Sequence, residues 1–225
     1  MSLITLLLTL LLNLMVSMSK ALIYDFLVLS LQWPPALCRS VPSQCTKNPA
    51  PPRFGVHGLW PSSYTGYGVV SCGSQFGGVK FDPNVCTDPS IVNDLNNIWP
   101  NYLGKNINFW RNEWDKHGTC ALEVFDQRQY FENVIDIYNW VDIDYLLRFE
   151  LNINPDFNVD FDLPMFKQNI AGILAMPQIS CSGGNGMPVE IKEIRICLND
   201  VGDQVINCPM ADSFSCGTST VKWYI

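Results

Sequence analysis

The sequence predicts an α+β fold, with a central antiparallel sheet and several flanking helices in one disulfide-stabilised domain. Three observations carry this prediction. Segments rich in β-branched and aromatic residues stand near both ends of the chain, segments with helix start and stop signals lie between them, and nine cysteines are spread along the 225 residues. Apolar residues make up 48% of the chain, with seven Trp and twelve Phe, which is enough for a large core.

Strands are predicted at residues 24–33, 54–60, 189–198, 204–208 and 221–225, with Pro61 ending the second. Helices are predicted at residues 90–99, 109–118, 126–140, 142–150 and 162–176. Asp88 or Ser90 is the expected cap of the first helix, and an aspartate caps each of the last three. Residues 38–53 and 62–89 are interpreted as loops, and residues 154–162 as solvated turns and caps.

The N-terminus has the character of a targeting segment. Residues 3–18 are apolar apart from Thr, Asn and Ser, and small residues follow at Ser17, Ser19 and Ala21. The run is short for a membrane span, so residues 1–21 are predicted to be a signal peptide and residues 22–225 the mature domain. An uncleaved anchor is the alternative, because no positive charge precedes the apolar run.

The cysteines agree with secretion to an extracellular or vacuolar compartment, since nine of them suit a disulfide framework. A structural zinc site is a weak competitor, because there is no C-x-x-C pair and the chain has only two histidines. The formal net charge is −7. Any nucleic-acid substrate must therefore be held by local cations and stacking rather than by bulk attraction.

The segment from Phe109 to Cys120, F-W-R-N-E-W-D-K-H-G-T-C, organises the functional argument. As a helix it places Glu113, Lys116 and His117 on one arc of roughly 100° and turns Trp110 and Trp114 towards a core. The other histidine, His57, lies in a similar Gly- and Trp-containing stretch.

Two imidazoles in complementary protonation states form an acid–base pair. Such a pair suits phosphodiester transfer in RNA, where one histidine takes the proton of the 2′-hydroxyl and the other protonates the leaving 5′-oxygen. A lysine would stabilise the charge on the phosphate, and neither a metal nor another cofactor is required. From the residues alone, this is one option among several for a secreted hydrolase with a His/Glu/Lys site.

Two segments resemble the active-site motifs of the T2 family of ribonucleases: F-G-V-H-G-L-W-P at residues 54–61 and the segment that begins at Phe109. The Q-W-P at residues 32–34 also matches, and the likeness extends over nearly the whole mature chain, nearest to secreted plant enzymes. The resemblance implies that residues 22–225 form a ribonuclease catalytic domain.

The resemblance also implies residue roles. His57 would be the general acid and His117 the general base, while Glu113 and Lys116 would stabilise the phosphorane. Trp60 would line the phosphate and first-base region. Further substrate-binding positions match at Gln32, Asn101, Leu103 and Phe109. Many relatives have a histidine where this chain has Asn112, a flanking phosphate ligand, so reduced activity is expected.

The family pattern would pair Cys38 with Cys45, Cys72 with Cys120, Cys181 with Cys216, and Cys197 with Cys208. Cys86 has no counterpart in that pattern. It is either a buried free thiol or the site of an intermolecular disulfide.

The implied partner is single-stranded RNA and not DNA, bound by a monomer that leaves the membrane after signal cleavage. An S-like role in phosphate recycling, senescence or defence is favoured over self-incompatibility, because the chain is acidic and contains no N-x-S/T sequon. The rival from another class is a storage or binding protein on the same fold, whose usual mark, a replaced catalytic histidine, is absent. A metal-dependent nuclease would require a ligand cluster that the sequence does not show.

Overall fold

The computed structural model describes residues 22–47, 49–65, 69–184, 186–209 and 216–225, so the predicted signal peptide at residues 1–21 lies outside the described residues. The strands are β1 (Phe26–Gln32), β2 (Gly55–Ser62), β3 (Asp156–Asp162), β4 (Gln178–Gly184), β5 (Met187–Leu198), β6 (Val205–Ile206) and β7 (Thr220–Trp223). The α-helices are α1 (Pro34–Ser40), α2 (Pro83–Thr87), α3 (Val92–Ile98), α4 (Asn106–Lys116), α5 (Gln127–Val141), α6 (Ile143–Tyr145) and α7 (Leu163–Ala171). A π-helical turn, Leu146–Glu150, continues α6, and 3₁₀ turns span Cys72–Phe76 and Gly118–Ala121.

One sheet joins the two ends of the chain in the strand order β2-β1-β5-β7-β3, and β4 and β6 also pair with β5. All of these pairs are antiparallel except β5 with β7. Strand β1 is buried along its whole length, which explains its continuous apolar sequence. On one face Leu27, Leu29 and Leu31 enter the main core, whereas Phe26 and Val28 pack on the other. The predicted α+β class is therefore confirmed.

The three predicted aspartate caps are also confirmed. The side chains of Asp126, Asp142 and Asp162 accept hydrogen bonds from backbone N–H groups at the starts of α5, α6 and α7. At Asp126 the Gln129 side chain returns a bond to the cap, forming a capping box. Helix α5 buries an aromatic and aliphatic stripe in the main core, which includes Tyr130 and Phe131.

Several element predictions were wrong. Strand β2 continues through Pro61 to Ser62, because β2 lies at the sheet edge, where a residue without an N–H is tolerated. Residues 154–162, predicted as turns, contain β3, whose alternating sequence D-F-N-V-D-F-D was an available strand signal, although all of its residues except Phe161 are exposed. Strand β4 was not predicted, and α7 ends at Ala171 rather than at residue 176. Helix α3 begins after Ile91 without a side-chain cap.

Helices were also missed in segments interpreted as loops. Pro34 and Pro35 open the short helix α1, since proline suits the first helical turn. Within residues 62–89, Asp82 caps α2 by accepting from the N–H of Asn84. Both helices are too short to give a periodic sequence signal.

All four implied disulfides are present: Cys38–Cys45, Cys72–Cys120, Cys181–Cys216 and Cys197–Cys208. Cys86 is free and fully buried, so the structure places it as the predicted buried thiol. Burial raises the pKa of its thiol to about 12. Within the described part of the chain, no helix is both long enough and apolar enough to cross a bilayer.

Candidate active site

A one-residue β-bulge presents His57. Across the β1–β2 pair, Ser30 lies opposite Gly58 and Leu31 lies opposite Val56, so His57 is the extra residue on β2. The bulge shifts the alternation of side chains along the strand. His57 and Trp60, three residues apart, therefore share one face, with ring centroids 5.1 Å apart. This geometry explains why the Val56 side chain is buried in the core while the His57 side chain lies outside it.

Two tryptophans hold the backbone of the bulge. The indole N–H of Trp99 donates to the carbonyl of His57 at 2.9 Å, and that of Trp110 donates to the carbonyl of Trp99 at 2.8 Å. Both indoles are almost fully buried, and for Trp110 this confirms the predicted core position. Their polar N–H groups have the second function of fixing the position of His57.

Helix α4 supplies the other predicted catalytic groups. It spans Asn106–Lys116 and ends at His117, whose backbone N–H still bonds to the carbonyl of Glu113. Glu113 and His117 are buried, with 7% and 9% of their surfaces exposed, whereas Lys116 is exposed. The helix therefore presents the predicted Glu–Lys–His arc, with its lysine at the solvent end.

Glycine is required just after the helix for space rather than for backbone conformation. A Cβ atom on Gly118 would lie 2.3 Å from the ring of Trp114. The chain can thus turn tightly over that indole, and the Cys72–Cys120 disulfide lies two residues further on. Gly118 and the disulfide together fix the end of α4.

Trp60 is the centre of the site. Its ring lies 5.1 Å from that of His57 and 5.3 Å from that of His117, so both imidazoles contact the same indole. The Trp60 N–H donates to Glu113 Oε2 at 2.9 Å, and Glu113 Oε1 lies 3.9 Å from His57 Nε2. The two histidines, a carboxyl group and an indole thus form one contiguous cluster.

Electrostatics differentiate the buried members of this cluster. Burial lowers the pKa of His117 to about 3, with help from the neighbouring Lys116 and His57 charges, so this ring is neutral at ordinary pH. Its Nδ1 is buried without a hydrogen-bond partner in the described structure. Burial raises the pKa of Glu113, although His57, the Trp60 N–H and Lys116 oppose that effect. The site therefore holds one imidazole that is neutral at ordinary pH.

Sequence reasoning missed Glu193 and Arg195 on β5. Glu193 Oε1 lies 2.7 Å from His57 Nδ1, and Arg195 Nη2 lies 2.6 Å from Glu193 Oε2. The Arg195 guanidinium also lies over the Trp60 ring, 5.0 Å from its centroid. Charged residues inside an otherwise buried strand, E-I-K-E-I-R-I-C, were the available signal, because a buried carboxylate requires a partner.

The predicted substrate-binding residues occupy different settings. Phe109 joins the cluster, with its ring 5.7 Å from that of His57. Gln32 is 5% exposed, and its amide donates to the Val56 carbonyl at 3.1 Å. In the loop before α4, Asn101 accepts from the backbone N–H of Leu103, whose side chain is exposed. Asn112 is exposed on α4 itself.

Comparison with known proteins gives a consistent answer. Residues 24–208 match the model of the Ribonuclease T2 family. Extracellular ribonuclease LE of Solanum lycopersicum is 31% identical over 207 residues, covering 87% of this chain and 85% of that protein. Ribonuclease S-2 of Pyrus pyrifolia is 32% identical over 204 residues, covering 88% and 87%.

Solved structures agree. A variant of RNase MC1 in complex with 5′-UMP superposes with a TM-score of 0.76 at 26% identity, covering 89% of this chain and 98% of that one. Ribonuclease MC1 from bitter gourd seeds gives a TM-score of 0.73 at 28% identity, covering 82% and 94%.

The family match and the shared fold therefore place the chain in the ribonuclease class. The chain belongs to the Ribonuclease T2 family, as an endoribonuclease whose relatives include plant extracellular and S-type enzymes.

Proposed function

We propose that this chain is a secreted, metal-independent endoribonuclease that cleaves single-stranded RNA by transphosphorylation, leaving 2′,3′-cyclic phosphates. The observation that carries the proposal is the contact of both histidine rings with Trp60, beside the carboxyl group of Glu113. A phosphate bound at this indole would have one imidazole on each side. That arrangement suits a displacement in which one proton is removed and another delivered.

His117 is the proposed base. Its pKa of about 3 leaves the ring neutral, and the ring contacts Trp60, with 5.3 Å between the ring centroids. A neutral imidazole can take the proton of the RNA 2′-hydroxyl, and the freed oxygen then attacks the adjacent phosphorus. DNA lacks this hydroxyl and would not be cleaved.

His57 is the proposed acid. Two carboxyl groups flank its ring, Glu193 at 2.7 Å from Nδ1 and Glu113 at 3.9 Å from Nε2. Glu193 accepts the hydrogen bond of Nδ1 and so orients the ring, and a protonated imidazole in this orientation can donate its Nε2 proton to the leaving 5′-oxygen. The bond from phosphorus to the 5′-oxygen breaks as the bond to the 2′-oxygen forms.

Glu113 and Lys116 are proposed to stabilise the phosphorane. The Lys116 ammonium, at the exposed end of α4, supplies the positive charge for the equatorial oxygens. Phe109, in contact with His57, offers a stacking surface for a base. Gln32, Asn101, Leu103 and Asn112 remain the proposed secondary contacts to the substrate, and Trp60 lines the phosphate.

The proposed setting is extracellular or vacuolar, with residues 1–21 as signal peptide and an S-like role. The formal charge of −7 and the missing sequon favour that role over self-incompatibility. A catalytically weak storage or binding protein is less well supported, because both histidines are retained within one cluster.

The test is cleavage of matched single-stranded RNA and DNA by the purified protein in excess chelator, with product ends identified by mass. The proposal predicts 2′,3′-cyclic phosphates from RNA only. His57→Ala and His117→Ala should each lower the rate by about 10²-fold or more while far-UV and near-UV circular dichroism are unchanged. Cleavage that stops in chelator would support the metal-dependent alternative, and near-normal turnover by either variant would refute the assignment.

A further inference from the structure

We propose that Glu193 is the positioning residue of the general acid His57, and that Arg195 holds Glu193 in place. This inference rests on the proposed function for its catalytic meaning. Its structural part, the control of one histidine ring by one buried carboxylate, can be tested without any cleavage assay.

The register of the sheet makes the contact possible. Strand β1 lies between β2, which carries His57, and β5, which carries Glu193. On this face of β1, Ser30 lies opposite both Gly58 and Arg195, while Gln32, opposite Glu193, turns its amide to the Val56 carbonyl. Serine and glycine leave little side chain between the outer strands. The side chains of His57 and Glu193 can therefore meet across β1.

The protonation state of Glu193 fixes the direction of the hydrogen bond. Burial alone would raise its pKa, but the hydrogen bond and charge of His57, together with Arg195, bring the pKa down to about 2. An ionised carboxylate only accepts hydrogen bonds. His57 Nδ1 must therefore carry a hydrogen, and Nε2 is left as the atom that faces Glu113 and exchanges the catalytic proton.

Arg195 completes the array. Its Nε and Nη2 atoms donate to Glu193 Oε2 at 3.1 and 2.6 Å, so the second carboxylate oxygen is satisfied while the first remains for His57. Glu193 is 3% exposed, and this fork holds it in a single orientation. Arg195 also lies over the Trp60 ring, so the same side chain contacts both Glu193 and the indole next to His57.

The same strand offers a matched control. Glu190 is 5% exposed on β5 and is paired with an arginine, Arg39, but the described structure places neither residue against His57 or Trp60. Glu190→Gln therefore removes a buried, arginine-paired carboxylate without touching the site. Any general effect of neutralising such a group will appear in both variants.

The experiment compares wild type, Glu193→Gln and Glu190→Gln, each labelled with ¹⁵N-histidine. With two histidines in the full sequence, the ring nitrogens can be assigned with His117→Ala. At a pH where His57 is neutral, wild type and Glu190→Gln should show only the Nδ1–H form of His57. Glu193→Gln should show a mixture with the Nε2–H form, and its kcat should fall about 10- to 100-fold, while KM stays within about twofold.

Retention of the pure Nδ1–H form and a near-normal kcat in Glu193→Gln would overturn the proposal. An equal fall of kcat in Glu190→Gln would also overturn it.

If the glutamine variant does not fold, Glu193→Asp supplies the test, because it keeps the negative charge but moves it away from His57 by one methylene. The aspartate variant should retain the Nδ1–H form with a kcat between those expected for wild type and glutamine, and an unchanged kcat would contradict the proposal. Full activity of His57→Ala would instead refute the proposed function and leave the ¹⁵N result standing.

Discussion

Gly58→Ala is the substitution for which the structure gives the clearest magnitude. A Cβ atom at this position would lie 2.2 Å from Glu113 Oε2 and 2.3 Å from Trp60 Nε1, the two atoms that share the hydrogen bond at the centre of the site. Real Cβ atoms do not approach other atoms so closely, and Glu113 is buried. The carboxyl group and the indole must therefore separate.

The expected cost follows from three contributions. Loss of a buried hydrogen bond to a carboxyl group costs about 1–3 kcal/mol, and crowding a packed site costs about 1–3 kcal/mol more. The lower entropy of the unfolded alanine chain returns about 0.4–1 kcal/mol. The free energy of unfolding should thus fall by about 1–5.5 kcal/mol. Moving Trp60 from its place between the histidines should lower kcat/KM by about 10²-fold.

The assay is urea unfolding together with RNA cleavage, with Gly172→Ala as the matched control. Gly172 follows α7 with ordinary helical φ and ψ angles, and the nearest atoms to its added Cβ lie at 3.5 and 3.6 Å. The control should keep wild-type activity and gain about 0.4–1 kcal/mol in the free energy of unfolding. A Gly58→Ala protein with a free energy of unfolding within about 0.5 kcal/mol of wild type, and full activity, would refute the packing argument.

Three further predictions concern single residues. The pKa of His117 is about 3 in the folded protein and 6.5 in the unfolded chain, so the unfolded chain binds a proton that the native protein does not, and stability is lost as pH falls from 6.5 towards 3. Between about pH 6.0 and 4.5, the free energy of unfolding of His117→Asn, measured by urea titration, should fall by about 2 kcal/mol less than that of wild type. Equal losses in the two proteins would contradict the buried neutral ring. Asn112→His should raise kcat/KM several-fold by adding a second cationic donor beside Lys116. The control Asn93→His, at an exposed position on α3, should leave kcat/KM unchanged. Equal kcat/KM values for the two variants would argue against a phosphate contact at position 112. The Cys86 thiol should be inert to a disulfide reagent at pH 8 in the native protein, because burial raises its pKa to about 12, and it should react once per chain in denaturant. Rapid reaction in the native protein would show that the thiol is accessible.

The sequence predicted the parts of the site that depend on local spacing. The arc of Glu113, Lys116 and His117 follows from helical periodicity, and α4 presents those residues as expected. The four disulfides followed from the family resemblance, and all are present. The burial of Trp110 and Trp114 was also predictable, because residues four apart lie on one side of a helix.

The parts that depend on pairing between distant strands were not predictable. The bulge at His57 exists only in the register of β2 against β1, so no local pattern reveals it. Glu193 lies 136 residues from His57 and meets it only because β5 pairs with the other side of β1. Strand β3 is different, because its alternating sequence was a local signal; its acidic and mostly exposed residues were instead interpreted as turns, and the strand pairs with β7.

The central claim is that His57 delivers the proton to the leaving group and His117 removes the proton from the nucleophile. An RNA oligonucleotide with a bridging 5′-sulfur at the scissile bond tests this division directly, because a thiolate leaves without protonation. His57→Ala should cleave the sulfur-containing substrate at nearly the wild-type rate while remaining severely impaired on ordinary RNA, and His117→Ala should be impaired on both. Equal impairment of His57→Ala on both substrates, or rescue of His117→Ala by the sulfur, would contradict the account.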